Sequence, residues 1–254
     1  MKESSDTLAS HLQGLTDDRD AWLKSTTGML TRHPWICGVW VVGSLGRDDA
    51  DAFSDIDLVV AVDDTAPGIV FQDPVAGLGI PGEILFVRPK PVNAPTGGAY
   101  LAAGIDLHGL PLLVDVFVWP SATAAVSRDA TVVFARRPLL HSPLDFIPLL
   151  DEHPSDDRRG SDPDAAGTVL MWVMLAAKHW SRGNQAKLVG VCEQLGIPAD
   201  RCDARWLDRI LDQRIPSGPA TGRAVIAVRH LLTLAEYHHA AHVAGTAKDG
   251  VPPR

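Results

Sequence analysis

Asp55 and Asp57 are the residues of this 254-residue chain best placed to do chemistry, because a single position separates them and apolar residues, Ile56 and Leu58, alternate with them. Side chains alternate faces along a strand, so on an extended 56–62 segment (Ile-Asp-Leu-Val-Val-Ala-Val) both carboxylates point one way and the apolar pair points the other. Two carboxylates side by side at a buried edge repel, and a shared proton or a bound cation relieves them. Oxygen ligands favour magnesium. Ahead of the pair, with ten residues between, lies Gly43-Ser44, which closes a β-branched and aromatic run over residues 38–44 that reads as a short buried strand entering a turn. The Ser44 hydroxyl and the turn's backbone N–H groups are what an anion nest needs, and Arg47, in Gly43-Ser-Leu-Gly-Arg47, adds a cation. A metal-phosphate site is the chemistry these types and spacings suggest.

A third carboxylate is found by pattern. Asp115 is the lone charge in the apolar run Pro-Leu-Leu-Val-Asp-Val-Phe-Val-Trp at residues 111–119, and burying it between Val114 and Val116 without a partner is costly. Sharing a metal cluster with Asp55 and Asp57 gives it a reason to be there. Asp106 is the second choice, since a turn before Leu107-His108-Gly109 accounts for it as well. Rival phosphate motifs fail: residues 43–47 have neither the Gly-Lys-Ser/Thr ending of a Walker loop nor the Gly-x-Gly-x-x-Gly spacing of a dinucleotide fold.

An apolar residue, Gly43-Ser44, about ten residues and then Asp55-Ile-Asp-Leu58 resembles the signature of the DNA polymerase β-like nucleotidyltransferase superfamily. The resemblance implies that Gly43, Ser44 and Arg47 hold a nucleotide's phosphates. It implies further that Asp55, Asp57 and Asp115 are both the catalytic set and the ligands of two Mg2+ ions, with Asp115 doubling as general base. The co-substrate is then a nucleoside triphosphate, with ATP favoured. Relatives place a helical lysine on the phosphates, which nominates Lys178; a cation complementing a helix carboxyl end is an equal reading for Lys178 and the preferred one for Arg182. The layout is similar to the antibiotic nucleotidyltransferases, so the expected activity is transfer of AMP, or another nucleoside monophosphate, to a hydroxyl of an aminoglycoside or lincosamide, with release of pyrophosphate. That would be an antibiotic-resistance function. A protein or natural-product acceptor, or a non-catalytic antitoxin-like binding role, stays open as the alternative.

The elements that must position these groups are legible in outline. Apolar positions recur helically over residues 5–31 until His33-Pro34; strands follow at 38–43, 56–62, 83–88, 111–119 and 131–135. Residues 89–100, rich in Pro, Gly and Asn, read as a flexible loop near the acceptor. The fold class is α/β (α+β): a short mixed sheet with flanking helices in residues 1–150, a linker at 151–164, and a helical bundle at 165–254 completing the cleft. Its helices are expected at 165–182, 185–195, 202–213 and 219–243. His230, His238, His239 and His242 read as a solvated face of the last helix rather than a zinc site, and Trp172, Trp180 and Trp206 as packing.

Composition narrows the partners. A net charge of −8 without a Lys/Arg tract argues against a nucleic-acid partner and suits a cationic or hydroxyl-bearing small molecule. No run is long enough for a membrane span, the amino terminus lacks the apolar core of a signal peptide, and the three cysteines form no Cys-x-x-Cys pair. A cytoplasmic enzyme, monomeric or homodimeric and free of membrane contacts, is expected.

Overall fold

The computed structural model describes the backbone of residues 5–248 and the side chains of residues 9–243; residues 1–4, on which part of the expectation of an unexported chain rests, lie outside it. The chain divides into two compact units. A sheet unit comprises residues 16–107 and 112–161, and a helical unit comprises residues 1–15, 108–111 and 162–254.

The order of elements is α1 (Ser5–Leu30), β1 (Ile36–Val42), α2 (Gly43–Gly46), β2 (Ile56–Val62), α3 (Ile69–Gln72), α4 (Pro74–Leu78), β3 (Glu83–Pro89), β4 (Ala99–Leu107), β5 (Leu110–Pro120), β6 (Ala125–Val126), β7 (Thr131–Ala135), β8 (Leu140–His141), α5 (Phe146–Glu152), α6 (Ala166–Ser181), α7 (Gln185–Leu195), α8 (Ala204–Arg214) and α9 (Pro219–Lys248). Six strands form one mixed sheet in the order β3-β4-β5-β2-β1-β7, and β6 pairs with β8 in a small ribbon. β1 runs antiparallel to β2 and β7, β3 antiparallel to β4, and β2 parallel to β5. The parallel pair lies at the centre, where both faces are covered. That is why β2 and β5 read as nearly continuous apolar runs rather than as alternating ones.

One face of the sheet carries the core. Val39, Val41, Leu58, Val60, Val116 and Ile105 are buried there against Trp22 and Leu30 of α1 and against Val70, Val75 and Leu78 of α3 and α4. Each such side chain contributes about 1.5–3 kcal/mol of transfer free energy, so this face holds the unit together. The opposite face takes the alternate positions of the same strands. Phe117 stacks there between Tyr100 (centroids 4.8 Å apart) and the edge of Phe146 from α5 (4.9 Å), and the carboxylates project from this face.

Elements not expected from the sequence include β4, α3, α4, α5 and the β6–β8 ribbon. Residues 89–100 are not a flexible loop. A 3-10 turn at Pro91–Asn93 leads into β4, and the segment is tied down by bonds from Val92 N to Arg159 O (3.1 Å) and from Thr96 N to His153 O (2.9 Å). The prolines that suggested flexibility leave N–H groups that find carbonyls within the segment, as Asn93 N does at Lys90 O and Gly98 N at Pro95 O, or in residues 153–159. Asp106 is likewise no turn residue: it lies within β4 opposite Glu83, and the tight turn falls at His108-Gly109, both at positive φ (54° and 88°). A two-residue hairpin with both central residues at positive φ follows the twist of its strands.

In the helical unit α6 packs against α7, α8 and α9. Asn184 caps α7 by accepting from Lys187 N, Asp203 caps α8 by accepting from Trp206 N, and α7 ends at Gly196 in the left-handed region (φ 70°). The histidines of α9 are not simply solvated. His238 Nδ1 lies 3.1 Å from Ser181 O and His239 Nδ1 lies 2.9 Å from Trp180 O, and the His239 ring stacks on Trp180 at 4.4 Å. Carbonyls at a helix end lack partners within the helix, and these rings satisfy two of them at the end of α6. His230, exposed, lies 3.2 Å from Gly109 O within the same unit.

Candidate active site

β1 enters the site as a fully buried strand and ends abruptly at Gly43. Gly43 has φ +67°, a conformation open to glycine at little cost, and a Cβ at this position would collide with Asp57 Oδ2. The missing side chain is therefore what lets the Asp57 carboxylate lie against the turn. Gly46 closes the turn three residues on, where a Cβ would run into the backbone oxygens of Val41 and Asp129. Thr131 Oγ1 donates to Gly46 O (2.8 Å), pinning the turn to β7.

Ser44 supplies the telling atom. Its Oγ is buried and has no hydrogen-bond partner in the protein. Leaving a buried hydroxyl unsatisfied costs about 1–3 kcal/mol, so such a group in a native structure calls for a ligand or a strain role. The first N–H groups of a helical turn are also without partners inside it. A phosphate oxygen satisfies both.

Asp57 and Asp115 are directly paired in the parallel register of β2 and β5, and Val42, the residue before Gly43, is the antiparallel partner of Asp57. Neighbouring strands are about 4.8 Å apart, and side chains paired in register share a face. Both residues are half-buried among neighbours that are wholly buried. Asp55, also half-buried, stands one position before β2 and shares the face of Asp57 by alternation.

Among the described residues no three His, Cys, Asp or Glu side chains are grouped so as to hold a metal ion. Asp57 rests against Gly43, and Asp115 Oδ1 accepts a hydrogen bond from the Tyr100 hydroxyl. The donors are nonetheless hard oxygens, as magnesium prefers, and they flank an anion-ready turn, so their chemistry fits a metal–nucleotide pair.

Around Asp115 the structure adds residues that the motif does not contain. Tyr100, on β4, is buried, and burial together with the charge and hydrogen bond of Asp115 pushes its hydroxyl well above the usual tyrosine range. The Arg88 charge and the nearby Asn93 of the 3-10 turn act in the opposite sense, without reversing the shift. Arg88, only 4% exposed, and Lys90 bring positive charge to this side. Burial and the Arg88 charge lower the Lys90 pKa, while Asp115 opposes that shift. The signal that could have found Tyr100 was its place as one of only two tyrosines, next to an Ala-rich run that is in fact β4.

The remaining expectations place as follows. Arg47 is exposed and paired with Asp49 (Nε to Oδ2, 3.2 Å), so a neighbouring carboxylate already competes for its charge. Lys178 lies in the helical unit, half-buried in the last turn of α6, with Arg182 as the residue that ends the helix. Cations there complement the macrodipole.

Residues 27–94, from the end of α1 through β1, the Gly43-Ser44 turn, Asp55, Asp57 and β3, match the family model described as the nucleotidyltransferase domain. This stretch contains the Gly43-Ser44 turn and the Asp55 and Asp57 pair. The chain carries a nucleotidyltransferase domain and is an enzyme of that class. Asp115, Tyr100 and the helical unit lie outside the matched residues. No curated protein matches the chain. Among solved structures, a STING-associated CdnE c-di-GMP synthase from Capnocytophaga granulosa is similar at 11% identity over 92% of this chain and 83% of that one, with a TM-score of 0.28, a likeness too slight to carry argument.

Proposed function

We propose that this enzyme transfers a nucleoside monophosphate, AMP favoured, from a nucleoside triphosphate to a hydroxyl of a small-molecule antibiotic such as an aminoglycoside or lincosamide, releasing pyrophosphate. The observation that carries the reading is the register pair Asp57 and Asp115 beside a Gly43-Ser44 turn whose buried hydroxyl lacks a protein partner. Asp55, Asp57 and Asp115 would hold two magnesium ions, which when bound supply charge neutralisation at the reacting phosphate and the departing pyrophosphate.

The chain's own residues do the rest. Ser44 and the turn N–H groups hold the phosphates, with Arg47 adding charge. Asp115 takes the proton from the acceptor hydroxyl as its oxygen bonds to the α-phosphorus and the bond to the β-phosphate oxygen breaks. Positioning and charge neutralisation supply most of the rate, as phosphoryl chemistry asks little covalent work of the protein.

A second reading has one observation behind it. Arg88 and Lys90 bring positive charge to the Asp115 side, which disfavours a polycationic acceptor there and favours a neutral or anionic natural-product hydroxyl. No nucleic-acid or membrane partner is proposed. Among the described residues no helix is long and apolar enough to cross a membrane, and a cytoplasmic monomer or homodimer is the proposed form.

Mass spectrometry of candidate acceptors after incubation with ATP and magnesium tests the proposal. A nucleoside monophosphate adduct on an aminoglycoside or lincosamide is the expected product. An adduct confined to neutral or anionic acceptors would transfer the assignment to the second reading, and an adduct on protein alone would overturn both.

A further inference from the structure

We propose that the Tyr100 hydroxyl forms a hydrogen-bond relay from β4 to the Asp115 carboxylate and sets its orientation, so that Tyr100 is a positioning residue for the transfer step. The inference rests on the reading of Asp115 as the base.

Three features place the relay. Tyr100 is the second residue of β4, the strand next to β5 in the sheet, and its hydroxyl donates to Asp115 Oδ1. A Cβ on Gly98 would collide with Val118 O, so the glycine permits the start of β4 to press close to the backbone of β5. The tyrosine ring is held from the side by Phe117, with centroids 4.8 Å apart, so the hydroxyl has little room to wander.

An aspartate's terminal torsion is broad and soft, and one strong bond to one oxygen selects a rotation. Fixing that rotation matters for a group that must meet an acceptor proton at hydrogen-bond distance. The relay is built entirely from the sheet unit, and Tyr100 does not belong to the aspartate motif.

The test compares the full chain with Tyr100→Phe, Asp115→Asn and the Tyr100→Phe/Asp115→Asn double variant. Tyr100→Phe keeps the ring contact with Phe117 and removes only the hydroxyl. Crystal structures of the full chain and of Tyr100→Phe read the carboxylate directly: it is expected turned in the variant or spread over two rotamers, and an unchanged single rotamer would overturn the relay. With an acceptor in hand, Tyr100→Phe should lower kcat about ten- to a hundredfold, as loss of a supporting hydrogen bond does at other sites, with KM for the nucleotide and the thermal midpoint unchanged. In the Asp115→Asn background Tyr100→Phe should remove nothing more. A further loss there, or a fall in kcat tracking a fall in thermal midpoint, would reduce Tyr100 to packing. Full activity in Asp115→Asn alone would instead overturn the base assignment, a failure separable from that of the relay because the rotamer comparison does not depend on turnover.

Discussion

Asp57 and Asp115 are register partners on the two central parallel strands, at the one level of the sheet where Val42 of β1 also pairs and hands the chain to Gly43. Two unit charges about 5 Å apart repel by about 3 kcal/mol at an effective dielectric of about 20, a large fraction of a domain's net stability. An arrangement of that kind is retained for chemistry rather than for folding. Replacing one charge should therefore move activity and stability in opposite directions.

For Asp57→Asn the expected outcome is a fall in pyrophosphate release of at least about a hundredfold with a thermal midpoint equal to or above that of the parent, since a like-charge repulsion is lost. Calorimetry beside the activity assay checks both halves. A folded variant retaining more than a few per cent activity contradicts the metal role.

Ser44→Ala should also separate the two. Deleting a buried hydroxyl that has no protein partner leaves stability unchanged or raises it. The same deletion removes a hydrogen bond to phosphate, and titration calorimetry should show nucleoside triphosphate binding weakened by about tenfold or more. Unchanged affinity would remove Ser44 from the phosphate site.

Gly43→Ala fails on two grounds. The position has φ +67°, where an L residue pays about 1–2 kcal/mol, and the added Cβ meets Asp57 Oδ2. Stability should fall by at least that amount in a denaturant titration, and activity should fall with it because the Asp57 carboxylate is displaced. Parent-like behaviour would show that the turn is adaptable.

Cys192 and Cys202 bear on pH. Burial pushes both thiols up, Cys202 the further, from an ordinary 9.0. A raised folded pKa means that the unfolded state ionises first, so the contribution is fully present below about 9 and is lost as pH rises above it. Denaturant midpoints should decline from pH 8 to pH 10, and the decline should be shallower in a Cys202→Ala variant. All three cysteines are buried, so a thiol reagent at neutral pH should react with them only after unfolding. Rapid labelling of the native chain would contradict this.

The motif positions were readable because chemistry constrains them locally: Gly43 must lack a side chain, and Asp55 and Asp57 must alternate with Ile56 and Leu58. Asp115 was readable for the opposite reason, as a charge in an otherwise apolar strand. β4 was not, because Ala102, Ala103 and Gly104 carry weak strand propensity and follow Gly97-Gly98; the strand exists through pairing with β3 and through close backbone approaches that only small residues permit. Missing β4 meant missing Tyr100 and, with it, what Asp115 touches. The α9 histidines misled in a similar way. Their partners are carbonyls at the end of α6, nearly sixty residues away in sequence, and periodicity does not report on a neighbour's helix end.

Pyrophosphate release by the full chain tests the central claim most directly, measured with each of the four nucleoside triphosphates and magnesium across aminoglycosides, lincosamides and neutral or anionic hydroxyl compounds, with Asp57→Asn alongside. Release that requires an acceptor and is lost both in Asp57→Asn and on chelation of the metal is the predicted result. Nucleotide binding with no release across the whole panel, or release that Asp57→Asn leaves intact, would contradict the assignment.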